Sequence, residues 1–275
     1  MEYEIRPLQL YLQSNLKTID SVFRLNGFRY FIVSGTMLGA VRHKGFIPWD
    51  DDVDIAMPRS DYERLLKEWH DLFPSHLEFV SAEQDDNYPL PYGKIQDNRT
   101  TVIEKTYRNY IGGVYIDVFP LDGVPSNTLL RWWHFTKYLF YYKLLYFSYR
   151  DPYKHGKGPN SWVPLFVQKT IKHSSIHRWI RHLLMRCDYD VSPFISEHYN
   201  RQRRYFPKDV FGTPKDIEFE DATLLGVEKP HEYLLEEYGD YMQLPPENKR
   251  HQHNFHFLDL NTSYKERINS DMHST

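Results

Sequence analysis

The residues best suited to chemistry in this sequence are four aspartates packed into five positions, in the run Trp49-Asp50-Asp51-Asp52-Val53-Asp54. So many carboxylates repel one another unless solvent or a cation screens them. An acidic run is ordinarily a solvated surface loop, but the register here opposes that reading. Val53, Ile55 and Met57 alternate with Asp52, Asp54 and Ala56, which predicts a half-buried strand from Asp52 to Met57. On a strand, Asp52 and Asp54 project from one face about 6.5 to 7 Å apart, so their oxygens can converge on a hard cation such as Mg2+ or Mn2+. A second apolar run, Val114 to Phe119, carries Asp117. If the two runs are adjacent strands, one or two cations fit between three carboxylates, which suits phosphoryl transfer. A calcium loop is excluded, because the residue six places along from Asp50 inclusive is Ile55 rather than glycine and the twelfth is Asp61 rather than glutamate.

Upstream, Ser34-Gly35-Thr36 lies between the buried strand Tyr30 to Val33 and a short helix from Thr36 to Arg42. Glycine there lets backbone approach a ligand, and free N–H groups at the helix start can hold phosphate. Steric need alone often explains such a glycine, so the value of Gly35 and Thr36 comes from their position just before the acidic run.

These groups need a scaffold. Ile5, Leu8, Leu12, Ile19 and Val22 define an amphipathic helix ending near Asn26-Gly27. Ser60 with Glu63 reads as a capping box opening a helix striped by Tyr62, Leu65, Leu66, Trp69 and Phe73. Short strands are expected between residues 77 and 103, and Pro120 is expected to end the strand bearing Asp117. An aromatic helix should run from Leu129 to Tyr149, and a last helix from Pro230 to Gly239. The pattern is an α/β (α+β) mixed sheet flanked by helices with a mainly helical insertion. The expected division is a core at 1–124, the insertion at 125–215, a segment packing back on the core at 216–260 and a flexible tail at 261–275.

With 34 basic and 37 acidic residues the formal charge is −3, so no global positive field draws the chain to nucleic acid. The one cysteine, Cys187, cannot form an internal disulfide. No apolar run nears the roughly 18 residues of a spanning helix, and the acidic N-terminus lacks signal-peptide character, so a cytoplasmic location is expected. Packing is the default for the aromatic run Tyr138 to Phe147, although the basic residues after it could touch an anionic membrane surface. His173 and His177 read as surface histidines, because a His-Glu-x-x-His motif is missing; His251, His253 and His256 read as packing or substrate contacts. Neither Gly156-Lys157-Gly158 nor the Gly39 to Gly45 stretch has the spacing of an ATP-binding loop.

The segment Ser34 to Ile55, with Gly35-Thr36, Arg42-His43 and the Asp-Val-Asp run, resembles the hallmark of the LicD family of phosphocholine transferases, related to fukutin and fukutin-related protein. Tyr115 to Asp122, Tyr238 to Met242 and Leu244 to Glu247 resemble it too. The resemblance implies a nucleotidyltransferase-like fold. It also implies transfer of a phospho-alcohol, typically phosphocholine, from a CDP-activated donor to a hydroxyl of a cell-surface glycan, such as lipopolysaccharide or teichoic acid, or of its lipid-linked precursor, releasing CMP. Asp52 and Asp54 would hold Mg2+ or Mn2+, and Asp117 would complete the metal shell or accept the acceptor's proton. Gly35, Thr36, Arg42, Asp50 and Lys94 would bind substrate, with Arg99 a further cationic candidate and Asp50 and Asp51 orienting Arg42 or water. Alternatives are a nucleotidyltransferase that leaves a nucleoside monophosphate on a sugar or protein hydroxyl, a glycosyltransferase with an Asp-x-Asp site, and a non-catalytic glycan- or nucleotide-binding module.

Overall fold

The first element follows from its spacing: helix α1, Ile5–Leu25, buries Leu8, Leu12, Leu16, Ile19 and Phe23 against the sheet, and the chain leaves it through Gly27 at φ +67°. In the computed structural model, described at residues 4–104, 110–154, 156–199, 203–250 and 255–272, this stripe covers one sheet face. Strand β1, Phe31–Ile32, and helix α2, Ser34–His43, lead to β2, Asp54–Pro58, and α3, Arg59–Leu72. Strands β3, Leu77–Val80, β4, Gly93–Ile103, and β5, Ile111–Val124, follow, then helices α4, Thr128–Tyr149, α5, Pro159–Thr170, and α6, His173–Leu184. The chain returns through β6, Phe194–Ser196, β7, Phe206–Pro207, and α7, Lys208–Phe211. It continues through the hairpin β8, Lys215–Phe219, and β9, Ala222–Gly226, to α8, Pro230–Tyr238, β10, Phe257–Asp259, and α9, Tyr264–Met272.

The main sheet is mixed, as expected, with strand order β1-β2-β5-β4-β10; β3 also pairs with β4, and β6 joins β5 to β7. Only β2 and β5 run parallel among these pairs. The strand after the acidic run starts at Asp54, not Asp52, and is buried at Ile55, Ala56 and Met57 alike. A strand with a parallel neighbour and layers on both faces has no solvated side, so the expected half-buried alternation does not hold.

Pro120 does not end β5. The Asp117 N–H points to β2, donating to Val53 at 2.9 Å, so the alternate positions 118 and 120 face the other way. On that side pairing with β4 stops at Gly93↔Val118 and pairing with β6 starts at Asp122↔Ser196. A proline in this gap forfeits no ladder bond.

The capping box is also absent. Helix α3 starts at Arg59; Ser60 accepts from Arg29 and Glu63 pairs with Arg59 and Arg181. The expected flexible tail instead carries α9, anchored where Tyr264 and Lys265 bond Glu78 and Ser263 donates to Asn98. Cys187 is a free thiol.

The helical insertion has its own core, Tyr138, Leu145, Val167, Ile176, Ile180, Leu183 and Leu184. It ends sooner than residue 215, because β6 has rejoined the sheet by Phe194. Packing accounts for only part of the aromatic run: Tyr138 and Leu145 are buried, while Phe140 is exposed, as are Trp132 and Trp133 ahead of the run on the same helix. No helix among the described residues is long and apolar enough to cross a membrane.

Histidines fasten the insertion to the core. His134 of α4 and His198 share a 2.9 Å Nε2 contact, and both are buried. His173 and His177 are not surface groups: they touch each other at 2.8 Å, and His173 also meets Tyr149 and the Tyr88 carbonyl. His251 and His253 lie outside the described residues, while His256 donates its N–H to the Ile103 carbonyl.

Burial, then the Arg186 charge, lowers the His134 pKa from 6.5 to about 4. Between those values the unfolded chain binds a proton that the folded chain refuses, so stability falls as pH drops through this window. At pH 5 this one residue should cost about 2 kcal/mol. Urea unfolding at pH 7.5 and pH 5 checks it, with a shallower pH slope expected for His134→Gln.

Candidate active site

The sheet register assembles the site. Asp54 of β2 stands opposite Asp117 of β5, and Asp117 stands opposite Lys94 of β4. Directly paired residues share a face, so two carboxylates and an ammonium form one row across three strands. Strand β5 is also where β2 finds its parallel partner, so the row straddles the point at which strand direction changes.

The row is mostly dry. Lys94 is 3% exposed, lies 3.7 Å from Asp117, pairs with Glu104 and sits over the Tyr115 ring at 3.2 Å from its centroid. Burial, then the charges of Asp52, Asp117, Asp50 and Glu197, pushes the Asp54 carboxyl well above the usual carboxylate range.

Helix α2 locks onto this row at its first turn. Thr36 Oγ1 accepts the Asp54 N–H at 2.9 Å, and the Val33 N–H donates to the Asp54 carbonyl at 3.1 Å. A Cβ on Gly35 would stand 2.8 Å from Asp50 Oδ2, so any larger residue would displace that carboxylate from the helix start. Ser34 sits at φ +49°, an unusual conformation for a residue with a Cβ. It is braced there by the Tyr233 hydroxyl, which accepts the Ser34 N–H at 2.9 Å, and by a 2.6 Å contact from Ser34 Oγ to Tyr199.

The acidic run is held from behind. Gln9 of α1 donates to the carbonyls of Ile47 and Asp50, at 3.2 and 2.8 Å. Asp51 is 1% exposed, which excludes the solvated-loop reading. Oxygens of Asp50, Asp51 and Asp52 come within 4.8 Å of one another. Three oxygen donors at this separation, beside the Asp54 and Asp117 pair, fit a hard divalent cation and no soft one. The described residues thus bring Asp50, Asp51 and Asp52 together in one cluster and Asp54 with Asp117 in the adjoining row.

Arg42, at the other end of α2, bonds protein groups. Its guanidinium donates to the Tyr241 carbonyl at 2.7 Å and to His43 at 2.9 Å, tying α2 to the chain after α8. Arg99 is bound to Asp97 on the neighbouring register, so it is spent on that carboxylate.

Several groups around the row carry no motif. Tyr92, Phe119 and Tyr199 form a wall: Tyr199 stacks on Phe119 at 4.3 Å between centroids and Tyr92 packs tilted against it at 4.4 Å, with Phe119 on the face of Asp117. Glu197 accepts from Tyr233 at 3.2 Å, and burial, then Glu237, raises its pKa from 4.5 to about 8. Tyr88 is fully buried, and its hydroxyl has no hydrogen-bond partner among the described residues. Burial, then the Asp117 charge, raises its pKa well above the usual tyrosine value. Glu197, Tyr199 and Tyr88 come from irregular chain whose spacing says nothing; only folding brings them here.

A mixed sheet with acidic residues in register beside a glycine-threonine helix start is the frame of a nucleotidyltransferase-type phosphotransferase. A family model described as LicD/FKTN/FKRP, nucleotidyltransferase domain, matches residues 27–147. The lipopolysaccharide cholinephosphotransferase LicD of Haemophilus influenzae is 30% identical over 240 residues, 82% of this chain and 86% of that protein. The human ribitol 5-phosphate transferase FKRP is 38% identical over 50 residues, 18% of this chain and 10% of that protein. The chain belongs to the LicD family and is a LicD-type phosphotransferase.

An orphaned buried hydroxyl costs stability that its removal restores. Tyr88→Phe should therefore leave the denaturation midpoint unchanged or raise stability by about 1 kcal/mol, read by urea unfolding.

Proposed function

We propose that this protein moves a phospho-alcohol, typically phosphocholine, from a CDP-activated donor to a hydroxyl of a cell-surface glycan or its lipid-linked precursor. It would act in the cytoplasm, at the membrane face where such precursors are carried. The carrying observation is the in-register placement of Asp54 beside Asp117, with Thr36 fixing Asp54 to the first turn of α2.

The donor's diphosphate would meet the backbone N–H groups of Gly35 and Thr36, where a helix start favours negative charge, with Asp50 beside them as a further substrate contact. Lys94 would supply positive charge on the far side of Asp117. Asp52, Asp54 and Asp117 would hold Mg2+ or Mn2+, which when bound neutralises charge on the diphosphate. The acceptor oxygen attacks the phosphorus that bears the alcohol. The bond from that phosphorus to the CMP oxygen breaks, CMP departs with the electron pair, and the acceptor's proton passes to a carboxylate of the row. Asp117, beside the ammonium of Lys94, is either that base or a metal ligand. The aromatic wall at Tyr92, Phe119 and Tyr199 excludes water and offers ring faces suited to a quaternary ammonium such as choline.

A panel of CDP-alcohols with Mg2+, read by CMP formation, tests this reading. CMP is expected from at least one donor, and hydrolysis reports activity without the natural acceptor. Phospho-alcohol released without free CMP would instead assign nucleotidyl transfer, because attack at the α-phosphorus leaves CMP on the acceptor. In Asp52→Asn and Asp54→Asn, CMP release should fall by at least about a hundredfold with the circular dichroism spectrum retained. Unchanged turnover would remove these residues from the chemistry.

A further inference from the structure

Helix α5 is built inside out. Of its twelve residues only Ser161, Pro164 and Val167 are buried. Trp162 and Phe166 are 67% and 65% exposed, and Val163 and Leu165 face outward with them. Helix α4, packed against α5, exposes Leu129, Leu130, Trp132, Trp133 and Phe140 along its own outer side. Single exposed apolar residues are ordinary, but this many on two touching helices mark a surface that is covered in use.

Charge identifies what covers it. Between residues 128 and 186 eleven lysines and arginines stand against one acidic residue, Asp151, in a chain of net charge −3. Lys137, Lys143, Lys169, Lys172, Arg178 and Arg186 are all exposed. The positive charge is thus segregated onto the segment that carries the exposed tryptophans. A second copy of this chain meeting the same face would set like charge against like. Aliphatic side chains such as Leu129, Leu130 and Val163 gain nothing from a nucleic-acid backbone. Tryptophan, phenylalanine and leucine ringed by lysine and arginine match the headgroup region of an anionic bilayer, where indole sits at the interface and ammonium groups meet lipid phosphate.

We propose that the outer faces of α4 and α5 dock this protein on an anionic phospholipid surface, with Trp162 and Phe166 inserted and the flanking lysines and arginines on the headgroups. This extends the reading of a lipid-linked acceptor to a named surface, and because docking is read without turnover the two claims fail separately.

The full chain is sedimented with phosphatidylcholine vesicles with and without phosphatidylglycerol, while tryptophan emission is recorded. Partition onto phosphatidylglycerol vesicles, weakened by salt and accompanied by a blue shift, is expected. The double variant Trp162→Ser with Phe166→Ser should bind at least about tenfold more weakly, and Lys169→Glu with Lys172→Glu should lose most of the preference for anionic vesicles. Neither pair lies in the reaction site, so CMP release from a soluble donor should be unchanged in both, which also reports that they fold. Absence of vesicle binding, binding equal in both variants and the parent chain, or a stable dimer that buries the tryptophans and leaves vesicles untouched would each overturn the proposal.

Discussion

Two carboxylates cannot sit side by side in a protein interior without compensation, and this fold imposes that arrangement. Adjacent strands lie about 4.8 Å apart, so the parallel register of Asp54 with Asp117 brings two acidic side chains to the same face at neighbouring positions. Burial, then the charge of Asp52 and after it that of Asp117, pushes the Asp54 carboxyl well above its usual range. Lys94 answers on the other side of Asp117, brought there by the antiparallel register of β4. The rest of the core holds this arrangement in place: α2 bonds to Asp54 through Thr36, α1 grips the acidic run through Gln9, and the chain after α8 is tied back through Arg42.

That unfavourable arrangement is what gives the site its capacity. A cluster of oxygens with excess negative charge holds a divalent cation because the cation relieves the repulsion already present. A helix start close by offers oriented N–H groups to a second anion. Side chains from three distant parts of the sequence close the surroundings: Tyr92 before β4, Glu197 and Tyr199 after β6, and Tyr233 on α8. The core therefore carries the acidic row, while the inserted helices, with their own small core and opposite charge, carry exposed apolar side chains.

Elements whose stability is local were legible in advance. The α1 stripe, the helix after Gly35, the aromatic α4 and the Pro230 helix ended by Gly239 all lie close to where periodicity and capping place them. Where the fold departs from local pattern, a neighbour decides. Pro120 stays in β5 because no strand stands opposite its missing N–H. Ser60 and Glu63 bond arginines from elsewhere rather than cap their own helix. The segment after Leu260 becomes ordered through Glu78, a partner far away in sequence.

The sequence by itself determined the family, the class of fold and the acidic and glycine-threonine motifs, because these depend on residue types at short, fixed spacing. Tertiary structure alone decided that Asp54 faces Asp117, that Arg42 bonds the backbone of Tyr241, and that Tyr199 and Tyr233 brace Ser34 at the start of α2, with Glu197 on Tyr233. Strand register and burial arise from contacts between segments far apart in the chain, and no local spacing encodes them.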